Sequence, residues 1–162
     1  MIFALSRSTH DAHHRIEHEL EDGTRVVWEL LDDEPVDALV AVDVDVSGEG
    51  WIARLDRIDF PPGGIAYRHV HPGPGIRLLL YGELTIDRDN EESVTYRAGE
   101  AWFEGADDPV VATASGTEHT AFVRVLLLPA EWAAKRTIRY VDPADEDKPR
   151  LQRVAILREV SL

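Results

Sequence analysis

Residues 63–83 read GGIAYRHVHPGPGIRLLLYGE and place His69 and His71 two positions apart, ahead of a Pro/Gly turn and an apolar run. Side chains alternate across a strand, so Tyr67, His69 and His71 are expected on one face. Two imidazoles on one strand can reach one ion or one ligand. Two ligands rarely hold a metal, however: catalytic zinc takes three protein ligands plus water, and non-haem iron takes two histidines and a carboxylate. Neutral imidazoles can also donate or accept hydrogen bonds, or move a proton near neutral pH. A second group of histidines, His10, His13, His14 and His18, lies near the N-terminus. His14 and His18 are four apart and would meet on one helix face, but the stretch reads HRIEH rather than HExxH and is taken as exposed loop or helix. No Ser/His/Asp arrangement can be read from spacing, and the GPG turn stands between strands rather than before a helix.

The rest of the composition narrows the chemistry. The 162 residues contain no cysteine, which excludes a disulfide framework, a thiolate metal site and a cysteine nucleophile. The formal net charge is −14, which repels nucleic acid and anionic membranes. The acids are dispersed, as in Asp32-Asp33-Glu34, Glu91-Glu92 and Asp145-Glu146-Asp147, and read as a solvated surface. The start, MIFALSRSTHDAHH, lacks the charged-then-apolar layout of a signal peptide. No run approaches the ~18 apolar residues of a membrane span, so a cytoplasmic location is expected.

The elements that must position the histidines read mostly as strands. Val26–Leu30 is short and apolar. Residues 38–46, ALVAVDVDV, end in strict alternation, with Val42, Val44 and Val46 on one face, the mark of a half-buried strand. Trp51–Phe60 and Ile65–His71 follow, then one long strand over Ile76–Ile86. Ser93–Arg97, Ala101–Phe103, Val110–Thr113 and Ala121–Leu128 are separated by Gly, Asp and Pro signals. Short strands at this spacing predict an all-β sandwich or barrel. Helix is expected only over Asp11–Leu20 and Ala130–Arg136. Thr137–Val141 and Arg153–Val160 read as strands around an acidic loop, in a tail that packs on the barrel or on a partner chain.

From Gly63 the spacing continues through five residues to His69-Val70-His71, then Gly75 three residues on, and Gly82 six residues further. This resembles the first motif of the cupin family, which has Gly, five residues, His-x-His, three or four residues, Glu, six residues and Gly. Counting from Gly99, the second motif would place Gly105 for Pro, Asp107 for Gly, Val110 for His and Ala114 for Asn. The resemblance implies a cupin-type β-barrel, that is, a double-stranded β-helix or jelly roll. The whole chain, 1–162, is then a single domain with a motif-bearing core over about residues 50–130. It also implies barrels paired through sheet edges and terminal arms, hence a homodimer.

What the resemblance implies for the site is mixed. Family members bind a divalent metal with two His and a Glu from the first motif and a His from the second, and this chain keeps only His69 and His71. Gly75 and Val110 offer no ligand, so a third would come from Glu104, whose parity turns it inward beside Trp102, or from His119. On this reading the pocket holds iron, manganese, nickel or zinc and is a metal-dependent enzyme of dioxygenase, isomerase or lyase type on a small organic substrate. Arg77 points to an alternative. Two residues after Gly75, it shares the inward parity with Leu79 and Tyr81, and a buried arginine must pair with an acid or receive an anionic ligand. The second reading is therefore a metal-free binding or sensing module, holding a small anionic molecule between His69, His71, Arg77 and Tyr81, with Tyr67 and Trp102 as further contacts.

Overall fold

Apolar residues at alternate positions run through most of the chain, and what they build is almost wholly strand. The computed structural model describes residues 1–48 and 50–162. Four strands at the N-terminus, β1 (Ile2–Ser6), β2 (His14–Glu19), β3 (Arg25–Leu31) and β4 (Val40–Asp43), form an antiparallel sheet in the order β2-β3-β1-β4. Next come β5 (Trp51–Phe60), β6 (Ile65–Val70), β7 (Gly75–Tyr81), β8 (Glu83–Arg88), β9 (Val94–Arg97), β10 (Ala101–Glu104), β11 (Val110–Ala114) and β12 (Thr120–Pro129). The tail adds β13 (Arg139–Tyr140) and β14 (Arg153–Ser161).

The eight strands β5–β12 divide between two sheets, ordered β10-β7-β12-β5 and β6-β11-β8-β9, and β14 and β13 extend one edge of each. Successive strands cross repeatedly from one sheet to the other. That interleaving is the jelly roll, the double-stranded β-helix of the cupin fold.

The β12 sheet is covered on both sides, and this explains its sequence. One face meets the N-terminal sheet through Phe3, Leu5, Trp28 and Leu30 against Leu55, Ile76, Val123, Val125 and Leu127. The opposite face meets the second jelly-roll sheet through Ile58, Phe60, Leu79, Trp102 and Phe122 against Leu84, Ile86, Val110 and Ala112. A strand buried on both faces reads as a continuous apolar run, as AFVRVLLL does in β12. The Trp28 indole also donates to the Ile76 carbonyl at 3.1 Å, which ties the outer sheet to β7.

Several expectations change. Residues 11–20 form no helix: after a bend, His14–Glu19 pairs with β3, setting Ile16 opposite Trp28. Ile16 and Leu20, four apart, fit either a helix or a strand, and pairing with β3 decides the outcome. Ala130–Arg136 contains only a 3-10 turn at Ala130–Trp132, and a second such turn spans Pro143–Asp147. Among the described residues no helix is long and apolar enough to cross a membrane. The strand expected over Thr137–Val141 shrinks to β13, and that over residues 38–46 to β4.

The long strand over Ile76–Ile86 is two strands in different sheets. Gly82 breaks it with φ 79°, a left-handed backbone that favours glycine. A Cβ at Gly82 would lie 2.4 Å from Thr120 Oγ1 and 2.5 Å from the His119 carbonyl oxygen. Gly82→Ala is therefore expected to lower the unfolding free energy by roughly 2–4 kcal/mol in denaturant titration. Gly116→Ala, where an added Cβ meets nothing within 4 Å, serves as the control and should change little.

Candidate functional site

The interior between the two jelly-roll sheets is apolar at one end and ionic at the other. A cavity of about 60 Å³ lies where they meet, lined by His69, His71, Arg77, Trp102, Glu104 and Arg124 together with Ile58, Phe60, Val110, Phe122 and the tail residues Ile138, Gln152 and Val154. Val110 pairs with His69 across the sheet.

Arg77 and Glu104 meet across neighbouring strands, with Nη2 2.6 Å from Oε2. Arg77 is 1% exposed and Glu104 6%. Arg77 Nη1 donates to the Gly75 carbonyl at 2.6 Å, and the Trp102 indole donates to Glu104 Oε1 at 2.8 Å. Arg77 Nη2, although close to the carboxylate, makes no well-aligned hydrogen bond. Gly75 has a specific reason to lack a side chain. A Cβ there would lie 2.5 Å from Leu126 Cδ2 and 3.0 Å from Arg77 Nη1. The guanidinium thus stands against the position from which a first-motif glutamate would project.

A second ionic group lies beside the first. Asp56 Oδ2 accepts from Arg124 Nε and Nη2, each at 3.1 Å, while Asp56 Oδ1 lies 3.1 Å from Arg54 Nε. Arg124 Nη1 is 3.1 Å from His71 Nε2. An arginine has only donors, so His71 Nε2 is the acceptor and its proton sits on Nδ1, which donates to Thr137 Oγ1 at 3.2 Å. Arg54 donates to the same hydroxyl at 3.2 Å and to the Lys135 carbonyl at 2.7 Å. His69 Nδ1 donates to the Tyr67 carbonyl at 2.7 Å, leaving Nε2 as the one imidazole lone pair not engaged by a neighbour.

These contacts set the charges. Burial pushes the His69 pKa down, partly opposed by Glu104 and the Tyr67 carbonyl. Burial, then Arg124, hold His71 well below its ordinary value of 6.5. Burial lowers Arg77 to about 10 even with Glu104 beside it, and it also lowers Arg124 despite Asp56. Burial alone would raise the Glu104 carboxyl, but Arg77 and the Trp102 bond outweigh it and hold it below the usual range. At neutral pH both imidazoles are neutral, both arginines charged and Glu104 ionised.

The donor set does not fit a divalent ion. His71 Nε2 accepts from a guanidinium, Glu104 is held by Arg77 and Trp102, and His69 Nε2 alone is uncommitted. Among the described residues no group of three His, Cys, Asp or Glu is placed to hold a metal. His119 is exposed in the β11–β12 turn, at the far side of Gly82, and cannot supply the third ligand.

Two contacts expected of the pocket lie outside it. The pairing of β6 with β11 shifts between Val110↔His69 and Ala112↔Ala66. This bulge turns Ala66 inward with the histidines and turns Tyr67 away, where its ring lies 4.2 Å from Lys148 Nζ. A similar shift in the β7–β12 pairing takes Tyr81 off the inward face of Arg77 and Leu79. Its hydroxyl instead accepts from Arg57 at 2.9 Å and donates to Asp59 at 3.2 Å. A period of two cannot register a bulge. Arg54, Asp56, Arg124 and Thr137 were not anticipated. The signal for three of them was a charged residue at inward parity in an apolar strand, as in ARLDRIDF and AFVRVLLL.

The arrangement is a jelly roll of the cupin fold. No family model matches the chain, and no curated protein matches it. Among solved structures it is similar to the polyketide cyclase RemF from Streptomyces resistomycificus, at 21% identity and TM-score 0.46 over 60% of this chain and 71% of that one. It is similar to an RmlC-like cupin from Shewanella frigidimarina NCIMB 400, at 17% identity and TM-score 0.41 over 55% and 86%. It is also similar to the DMSP lyase DddQ from Ruegeria pomeroyi DSS-3, at 17% identity and TM-score 0.47, over 59% of this chain and 45% of the lyase.

The depressed histidines predict a pH dependence. A group whose folded pKa lies below its unfolded one gives stability that is whole above the unfolded value and declines on acidification, because the unfolded chain then binds more protons. The unfolding free energy should fall as pH is lowered through about 6.5. In His71→Gln that fall should be shallower. Denaturant midpoints compared between about pH 7.5 and 5.5 check this, and equal slopes in the two proteins would show His71 to be solvated.

Proposed function

We propose that the protein binds a small anionic molecule without a metal, in the cavity between His69, His71, Arg77 and Arg124. The observation that carries this reading is the sign of the buried charge. The buried charges around the cavity are three guanidiniums, Arg54, Arg77 and Arg124, against two carboxylates, Asp56 and Glu104, with both imidazoles neutral, a surplus of one that a further anion would cancel.

The inner space has room for about two waters or one carboxylate. A carboxylate can accept from Arg77 Nη2, and an O–H or N–H elsewhere on the same ligand can donate to His69 Nε2, which is a hydrogen-bond acceptor and a general base in geometry. Binding is the function proposed, and proton transfer by His69 is the one catalytic step the constellation could add. Acetate titrated into the protein by NMR or calorimetry is the test. The paired neutral variant Arg77→Gln/Glu104→Gln avoids stranding a buried charge and should weaken acetate by at least about ten-fold, with elemental analysis of the parent protein showing no stoichiometric metal. An unchanged affinity, or near-stoichiometric metal lost in His69→Ala/His71→Ala, would overturn the reading.

We further propose a homodimer formed through β14. This strand pairs only with β5 among the described residues, and Val154, Ile156 and Leu157 on it are 53%, 43% and 46% exposed. A long apolar edge strand invites another strand. Antiparallel pairing of two copies about Ile156 would set Arg153 opposite Glu159, an attractive cross-strand pair. Sedimentation should give twice the chain mass; a monomer at micromolar concentration would contradict it.

A further inference from the structure

A second concavity opens immediately outside the inner cavity, between the barrel mouth and the tail. It has a volume of about 340 Å³ and shares Arg124, Ile138, Gln152 and Val154 with the inner one. Its charged lining is Arg54, Arg124, Lys135, Arg136 and Arg150, with no carboxylate among the described lining residues. Five of the chain's 17 basic residues thus line one cleft of a protein whose net charge is −14.

The carboxylates that touch these cations do not cancel them. Asp56 takes Arg54 and Arg124 from beneath. Glu159 lies 3.7 Å from Arg54 Nη1. Glu146 is shared: it lies 3.5 Å from Arg136 Nη1 and also contacts Arg150 Nη2. Five positive charges face three negative ones. The two outer guanidiniums are held in place by Tyr140, whose ring centroid lies 5.5 Å from Arg136 and 5.8 Å from Arg150. Their side chains remain 42% and 39% exposed. In addition, the Gln152 side-chain amide oxygen Oε1, buried between the two cavities, has no donor among the described residues.

We propose that this cleft is a phosphate site, and that the ligand of the protein is a phosphorylated small molecule whose phosphate rests among Arg136, Arg150 and Lys135. The proposal rests on the anion-binding reading of the inner cavity only for the other end of that molecule. A phosphate carries up to two charges and three acceptor oxygens and matches several guanidiniums at once, where a carboxylate matches one. The cleft and the inner cavity together reach the size usual for a small-molecule site, whereas the inner cavity alone does not. Glu146, bridging Arg136 and Arg150, occupies the place of an anion in the free protein, so an incoming phosphate must compete with it.

The test is calorimetric titration of the full chain with inorganic phosphate and with pyrophosphate at low salt. Saturable binding is expected. Arg136→Gln/Arg150→Gln, both at exposed positions, should weaken it by at least about ten-fold while leaving the thermal midpoint nearly unchanged. Glu146→Gln should tighten it, because the competing carboxylate is gone. Acetate binding should be unmoved in Arg136→Gln/Arg150→Gln, and phosphate binding unmoved in Arg77→Gln/Glu104→Gln. Absence of saturable phosphate binding, an affinity the outer double variant leaves unchanged, or weaker binding in Glu146→Gln would each overturn the proposal. Failure of acetate alone, with phosphate still lost in the outer variant, would count against the inner cavity and not against the cleft.

Discussion

The interior of this jelly roll is organised around Asp56. Its carboxylate is fully buried and holds two guanidiniums, Arg54 on its own strand and Arg124 on the neighbouring one. A buried pair of this kind is poor evidence of added stability, but removing one partner would leave a bare charge inside and cost about 3–5 kcal/mol. The geometry propagates outward from there. Arg124 fixes the acceptor atom of His71, and so its tautomer. Arg54 reaches the Lys135 carbonyl and the Thr137 hydroxyl, anchoring the tail over the barrel mouth. The two cavities therefore share a wall whose position depends on one carboxylate.

Arg77 and Gly75 form a linked exchange. The space beside a glycine admits a guanidinium, and the guanidinium in turn demands an acid, which Glu104 supplies from β10. Trp102 completes the arrangement by donating to the same carboxylate. The result converts a strand pattern suited to metal ligation into a cationic pocket, with the backbone register of the fold kept intact.

Charge is segregated in this chain. The acids lie mostly in exposed turns, whereas three of the arginines, Arg54, Arg77 and Arg124, are buried, and Arg136 and Arg150 line the tail cleft. An acidic surface repels anions at long range, but at physiological ionic strength the screening length is about 8 Å. A ligand group in the cleft therefore responds mainly to the guanidiniums within reach. Arg124 belongs to both cavities, so its charge counts once for the two together.

The sequence by itself determined most of the strands, β5 among them, whose bounds hold although its alternation is imperfect, and it put His69 and His71 on one strand face. Parity from Gly75 also pointed Arg77 inward, where it is buried. Tertiary structure decided the rest. The ambiguous spacing of Ile16 and Leu20 became a strand because β3 offered it an edge. Tyr67 and Tyr81 left the pocket because bulges shift parity by one residue, and a bulge depends on the partner strand. The partner of His71 was also decided in space: Arg124 lies 53 residues from it in the chain, and only folding brings that guanidinium to the imidazole Nε2, a contact that no strand pattern encodes.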